Sequence, residues 1–168
     1  MKLEIKISGF LKTGKFGRVE INDSMETVIE KLGKPDGEYN PNAMKSRKGI
    51  HYSMYEFMFL DDKLVSIQND RFDIRNPELM EFENDVFRID PEFLKADRIK
   101  KMGEIESMLN RLNIDYSVIE YWGRRVIKTT GGVVVDFNNE KWSDKHGDFV
   151  NIENQKDFEL IGITWFLA

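Results

Sequence analysis

The run from Gly9 to Lys15 has the G-x-x-x-x-G-K spacing of loops that bind the phosphates of nucleotides. Such a loop needs a Ser or Thr after the lysine to bind magnesium, and a helix whose N-terminus faces the phosphates. Here Phe16 follows the lysine, and the residues from Gly17 to Ile21 alternate in polarity as a strand does. The pattern therefore predicts a glycine-rich β-turn at this run and no nucleotide cofactor.

Other residues with catalytic or metal-binding chemistry are few. The chain has no cysteine and two histidines, so thiolate chemistry is excluded and an ordinary zinc site has too few ligands. His146 lies near Asp144 and Asp148, but aspartate and glycine are the usual residues of any polar turn. We predict no metal, no cofactor and no catalytic residue, and a hydrolase that uses two of the many carboxylates is the alternative.

Composition limits the class of partner. The 168 residues suit one domain, residues 1–168, and the net charge is −5. Nucleic-acid binding requires a basic surface, so an acidic chain favours a basic protein as its partner. The first residues, Met1 to Ile7, alternate between charged and apolar, unlike a signal peptide. Since no run of about 18 apolar residues is present, we expect a cytoplasmic protein without a membrane segment.

Hydrophobic periodicity predicts two helices and several strands. Asp23 is predicted to cap a helix that ends at Gly33, with an apolar stripe at Met25, Val28, Ile29 and Leu32. A second helix has the same spacing at Ile105, Met108, Leu109 and Leu112. Alternating residues predict strands at 3–7, 55–59, 64–67, 118–121, 125–129, 133–137 and 160–165. Because these strands are too closely spaced for parallel crossovers, we predict an α+β fold with a mainly antiparallel sheet.

The order of elements occurs twice. A helix followed by antiparallel strands is predicted at about residues 18–72 and again at about 98–168. The hypothesis is an internal duplication, and chance similarity of pattern is the alternative. Under the duplication, the two helices should pack on the same face of one sheet, because their apolar stripes match.

A family resemblance follows from the first of these repeats. The capped helix from Asp23 to Pro35 ends in Leu-Gly-Lys-Pro, and the aromatic strand Tyr55–Phe59 and the return strand Leu64–Ile67 follow it. This succession resembles the repeat of the β-lactamase-inhibitor-protein and outer-membrane-assembly lipoprotein superfamily, and it is similar to small bacterial proteins of the immunity type. The resemblance implies a protein-binding scaffold, and it maps no functional residue onto this sequence.

Two polar segments are candidates for a binding surface. Trp142 lies in a polar stretch, residues 138–157, in which Asp144 and Asp148 would attract a basic partner. Trp142 either anchors that partner or folds back to cover the sheet, and the sequence leaves both interpretations open. The second candidate is a long loop with Tyr39 and Met44, because functional residues concentrate on long loops.

Together these observations predict a non-enzymatic protein-binding module, namely an immunity protein that neutralises a bacterial toxin by direct binding. One alternative is the carboxylate hydrolase. The other is a structural or housekeeping domain that dimerises through an exposed sheet edge.

Overall fold

The computed structural model of the chain describes residues 2–40 and 46–166, which form three α-helices and thirteen β-strands. The helices are α1 (Ile7–Thr13), α2 (Met25–Leu32) and α3 (Met102–Arg111). The strands are β1 (Leu3–Lys6), β2 (Gly37–Tyr39), β3 (Arg47–Tyr52), β4 (Tyr55–Leu60), β5 (Lys63–Asn69), β6 (Phe82–Glu83), β7 (Phe87–Asp90), β8 (Tyr116–Tyr121), β9 (Arg124–Thr129), β10 (Val133–Asn138), β11 (Glu140–Ser143), β12 (Asp148–Asn151) and β13 (Glu159–Phe166).

Eight strands form one antiparallel sheet in the order β2-β3-β4-β5-β13-β10-β9-β8. Side chains alternate between its two faces, so a strand such as β4 contributes every second residue to the core. Phe57, Ile67, Trp165 and Val133 lie opposite one another across four adjacent strands of the core face. The predicted α+β class with a mainly antiparallel sheet is confirmed.

The sheet consists of two halves in mirrored order. Strands β5 and β13 are neighbours at its centre, and from them the halves run outward as β5-β4-β3-β2 and as β13-β10-β9-β8. Each half follows a helix, and the residue before that helix bridges the central strand of its own half. These bridges join Ser24 to Lys63 and Lys101 to Glu159. The last strand of the chain is therefore equivalent in position to β5, while the duplication itself stays a prediction.

Helices α2 and α3 contribute to one core. Val28 and Leu32 of α2, and Ile105 and Leu109 of α3, are buried in the same apolar cluster as Phe57. Both helices thus cover the face of the sheet to which Phe57 belongs, as their matching stripes led us to expect.

The start of α2 differs by one residue from the prediction. Ser24 is the cap, and its hydroxyl oxygen accepts a hydrogen bond from the backbone N–H of Thr27 at 3.1 Å. Asp23 instead accepts from the backbone N–H of Glu20 at 2.8 Å and from the Lys31 ammonium at 2.7 Å. Because Asp23 already has these partners, the shorter serine side chain next to the helix satisfies the helix N-terminus.

The predicted β-turn at Gly9 to Lys15 is wrong, since α1 occupies this run. Ile7, Phe10 and Leu11 share one face of α1, and each is at most 1% exposed. Burial of this face stabilises a seven-residue helix that is too short to be stable alone. The chain therefore has three described helices where two were expected. The first strand ends at Lys6 and pairs in parallel with β7, within a separate three-stranded sheet of order β1-β7-β6.

Candidate functional site

The chain between β10 and β13 forms a separate hairpin of β11 and β12, here called the arm. Four residue pairs join its strands, from Glu140 opposite Asn151 to Ser143 opposite Asp148. In the other half of the sheet, the equivalent strands β4 and β5 are joined by Asp61 and Asp62 alone. The arm is therefore an insertion, because two residues are enough to connect the equivalent strands of the other half.

Trp142 lies on the arm and does not cover the sheet. It pairs across the hairpin with Phe149, the two ring centroids are 5.5 Å apart, and the rings meet edge to face at 79°. Trp142 is 56% exposed and Phe149 is 58% exposed. Large aromatic side chains with this exposure are typical of protein-binding surfaces rather than of a core.

Carboxylates lie next to this aromatic pair. Asp144 accepts a hydrogen bond from the Trp142 indole N–H at 3.0 Å, which holds the ring in place. By strand alternation, Glu140 lies on the same face of the arm as Trp142. Asp148 lies on the opposite face, where its carboxylate accepts from the backbone N–H of Phe149 at 2.7 Å. Two of the carboxylates therefore share a face with the exposed rings, and the third does not.

The second predicted surface is not part of the arm. Tyr39 lies on strand β2 rather than on a loop, and its hydroxyl donates to the Glu56 carboxylate at 3.2 Å. Burial raises the pKa of the Tyr39 phenol. Strand β2 is five positions from β10 in the sheet, a separation of about 24 Å. Tyr39 and Trp142 thus belong to different surfaces, and Met44 lies outside the described residues.

Trp122 is an exposed aromatic residue that the sequence pattern did not single out. It lies in the turn between β8 and β9 and is 84% exposed. A signal was present, because Trp122-Gly123 separates two predicted strands and is followed by Arg124. A tryptophan beside a glycine between two strands indicates a hairpin turn, and an aromatic side chain in such a turn has no sheet face to cover.

The run that resembles a phosphate-binding loop and His146 lie in separate parts of the fold, on α1 and on the arm. Gly9 lies within α1, and Lys15 forms an ion pair with Glu20 at 2.8 Å, so the run that resembles a phosphate-binding loop does not form a loop. His146 is exposed in the turn of the arm. Within residues 2–40 and 46–166, no group of three His, Asp or Glu side chains is placed to hold a metal. In the same described residues, no helix is long and apolar enough to cross a membrane.

Comparisons with protein-family models, with curated proteins and with solved structures found no match to this chain. The resemblance of the first repeat therefore stays a hypothesis, and the functional proposal depends on the geometry of the arm.

Proposed function

We propose that this protein is a non-enzymatic protein-binding module whose arm contacts a basic protein. The observation that carries the proposal is the aromatic pair of Trp142 and Phe149, more than half exposed on an inserted hairpin. Tryptophan is enriched among the residues that dominate binding energies, and the Asp144 carboxylate beside it favours a cationic partner surface. A preformed β-hairpin also limits the entropy lost on binding.

The biological role that we propose is immunity, in which the protein neutralises a bacterial toxin in the cytoplasm by covering its surface. Support comes from the sequence resemblance of the first repeat and from the acidic charge of the chain. The mirrored halves of the sheet support an internal duplication as the origin of the scaffold. In this proposal one copy then acquired the arm as its binding element.

The test compares three immobilised proteins exposed to a lysate of the source cell. These are the wild type, the double variant Trp142→Ala/Phe149→Ala and the control Trp122→Ala, which removes an exposed aromatic residue from a different hairpin. We expect a basic protein to be retained by the wild type and the control and lost from the double variant. With the purified partner, loss of the anchor should weaken binding at least about 30-fold. Equal retention by all three proteins would exclude the arm as the binding element.

The immunity role has its own test. Expression of the captured partner alone should arrest growth of a host cell, and co-expression of this protein should restore it. Co-expression of the double variant should not. A captured partner without toxicity would leave the binding function in place and overturn the immunity role.

A second candidate function has one specific observation in its favour. Strand β8 is an edge of the eight-stranded sheet, and of its six residues only Glu120 is charged. Edge strands with few charges and no proline pair readily with another strand, which favours β8 as the edge through which a dimer forms. Sedimentation equilibrium of the wild type and of Val118→Lys tests this function, since Val118 is exposed on the edge. A wild-type monomer at high concentration would exclude it.

A further inference from the structure

The second face of the large sheet carries a concavity. On this face Ser66 of β5 lies between Met58 of β4 and Phe166 of β13. The neighbouring row, about 7 Å along the strands, places Gln68 between Glu56 and Thr164. The face therefore has a polar row next to a row in which Ser66 lies between two apolar residues.

The tip of the β8–β9 hairpin lies over this face. In sheet order β8 is three positions from β13, about 14 Å in a flat sheet. The Tyr121 and Phe166 rings are nevertheless stacked, with centroids 5.2 Å apart and an angle of 22°. Strand β9 pairs with β10 through Lys128 and Ile127 only, so the hairpin separates from the sheet beyond them and bends back.

An ion pair also joins the hairpin to the sheet. Arg124 of the hairpin forms an ion pair with Asp136 of β10 at 2.8 Å. Val126 and Val134, both on this face, are 0% and 2% exposed although they lie outside the main core cluster. The second face therefore has buried apolar residues of its own next to the bent hairpin.

Between the hairpin and the sheet is a space of about 450 Å³. Its lining includes the apolar and aromatic side chains of Met58, Tyr121 and Phe166 and the polar side chains of Ser66, Gln68 and Thr164. Sites for small molecules have this size and this composition, with mostly apolar walls and a few polar groups that orient the ligand.

Ser66 indicates what the space would hold. The residue is 4% exposed, and its hydroxyl is buried without a hydrogen-bond partner among the described residues. Its neighbours across the sheet, Met58 and Phe166, have no group that bonds well to a hydroxyl. Because buried polar groups in native proteins are nearly always paired, an orphaned hydroxyl in the lining of a cavity points to a ligand.

We propose that the concavity binds a small aromatic molecule that carries a hydroxyl or carbonyl group. The rings of Tyr121 and Phe166 and the thioether of Met58 favour an aromatic body, because aromatic and sulfur–aromatic contacts add to the burial of apolar area. The oxygen of the ligand pairs with the Ser66 hydroxyl. This site is separate from the arm, so it adds a ligand to the proposed protein-binding function.

The experiment uses the matched ligands 2-naphthol and naphthalene, which differ by one hydroxyl. Each is titrated into the wild type, into Ser66→Ala and into Ser107→Ala, a matched change at an exposed serine of α3. Binding is followed by the ¹³C-methyl signal of Met58, assigned with Met58→Leu. The measured quantity is the ratio of the naphthalene Kd to the 2-naphthol Kd. It should fall about fivefold in Ser66→Ala, as expected for the loss of one hydrogen bond, and stay unchanged in Ser107→Ala.

Two further variants make the test specific. Tyr121→Ala should weaken binding of both ligands, because it removes an aromatic wall of the concavity. Trp142→Ala should change neither affinity, because it lies on the arm. A Met58 signal that does not move up to the solubility limit of 2-naphthol would overturn the proposal. So would a Kd ratio that is the same in Ser66→Ala and the wild type.

Discussion

The ring of Tyr121 lies nearly parallel to the ring of Phe166 at 5.2 Å, although their strands are separated by two others in the sheet. This contact joins the outermost strand of the second half to the strand at the centre. It changes an open sheet face into a partly covered one. The tip of the β8–β9 hairpin therefore partly covers the side chains of β4, β5 and β13 on that face.

Tyr121→Ala should loosen this hairpin. Loss of the stacked pair and partial exposure of Val126 should lower the free energy of unfolding by about 2 kcal/mol. Urea denaturation measures this change, and hydrogen exchange of the β8–β9 amides should become faster. The neighbouring Trp122→Ala should change stability by no more than about 0.5 kcal/mol, because Trp122 is 84% exposed. Equal effects of the two variants would contradict the stacking of Tyr121 on Phe166.

Ser66→Ala should stabilise the protein in the absence of ligand. The change removes a buried hydroxyl that has no partner among the described residues, and the gain should be about 1 kcal/mol. Urea unfolding of the variant and of Ser107→Ala provides the comparison. A destabilised Ser66→Ala would mean that the hydroxyl is satisfied within the folded protein.

Trp142→Ala should change stability by less than about 1 kcal/mol, since the ring is 56% exposed and contacts Phe149 on the same hairpin. Phe57→Ala, at a residue that is 0% exposed in the core, should cost about 3–5 kcal/mol. Denaturant unfolding of both variants can be measured before any partner is known. A loss of about 3 kcal/mol in Trp142→Ala would place Trp142 in the core and remove the arm as a binding element.

Magnesium ATP should leave the melting temperature unchanged. Gly9 is within a helix, and Phe16 is 0% exposed in the core at the position where a hydroxyl would bind magnesium. A ligand at 100 times its Kd adds about 2.7 kcal/mol, which a thermal-shift assay detects as several degrees. A shift of this size that Lys15→Ala abolishes would show that the run binds nucleotide after a change in structure.

Glu104→Gln should reveal a pH-dependent contribution at the start of α3. Hydrogen bonds from Arg98 and from the backbone N–H of Lys101 lower the pKa of Glu104 below its ordinary value of 4.5. A carboxyl with a lowered pKa stabilises the folded state above its unfolded-state pKa, and this stabilisation is lost as pH falls through the folded-state pKa. The variant should therefore be less stable than the wild type at neutral pH.

Urea unfolding across a pH series from neutral to strongly acidic measures this difference between the two proteins. The difference should shrink as pH falls below 4.5, the ordinary value for a glutamate. Glu30→Gln on the exposed side of α2 is the matched control. A difference that is independent of pH would show that the effect of Glu104→Gln does not come from the charge of the carboxylate.

The sequence by itself determined the elements whose pattern repeats within a few residues. The strand at Tyr55–Phe59 and its return at Leu64–Ile67 follow from alternation, and α3 follows from the spacing of Ile105 to Leu112. Gly33, with a φ of 81°, ends α2 as predicted, because a positive φ limits the residue types that fit there. Local sterics and local periodicity are sufficient for these predictions.

The tertiary structure decided the rest. Alternation at Leu3 and Ile5 did not show that α1 would begin at Ile7. That helix is stable because Phe10 and Leu11 are buried against residues distant in sequence. The exposure of Trp142 and the contact of Tyr121 with Phe166 likewise depend on where two hairpins separate from the sheet. Strand pairing and hairpin bending are set by contacts between residues far apart in sequence. Periodicity within one segment carries no information about such contacts.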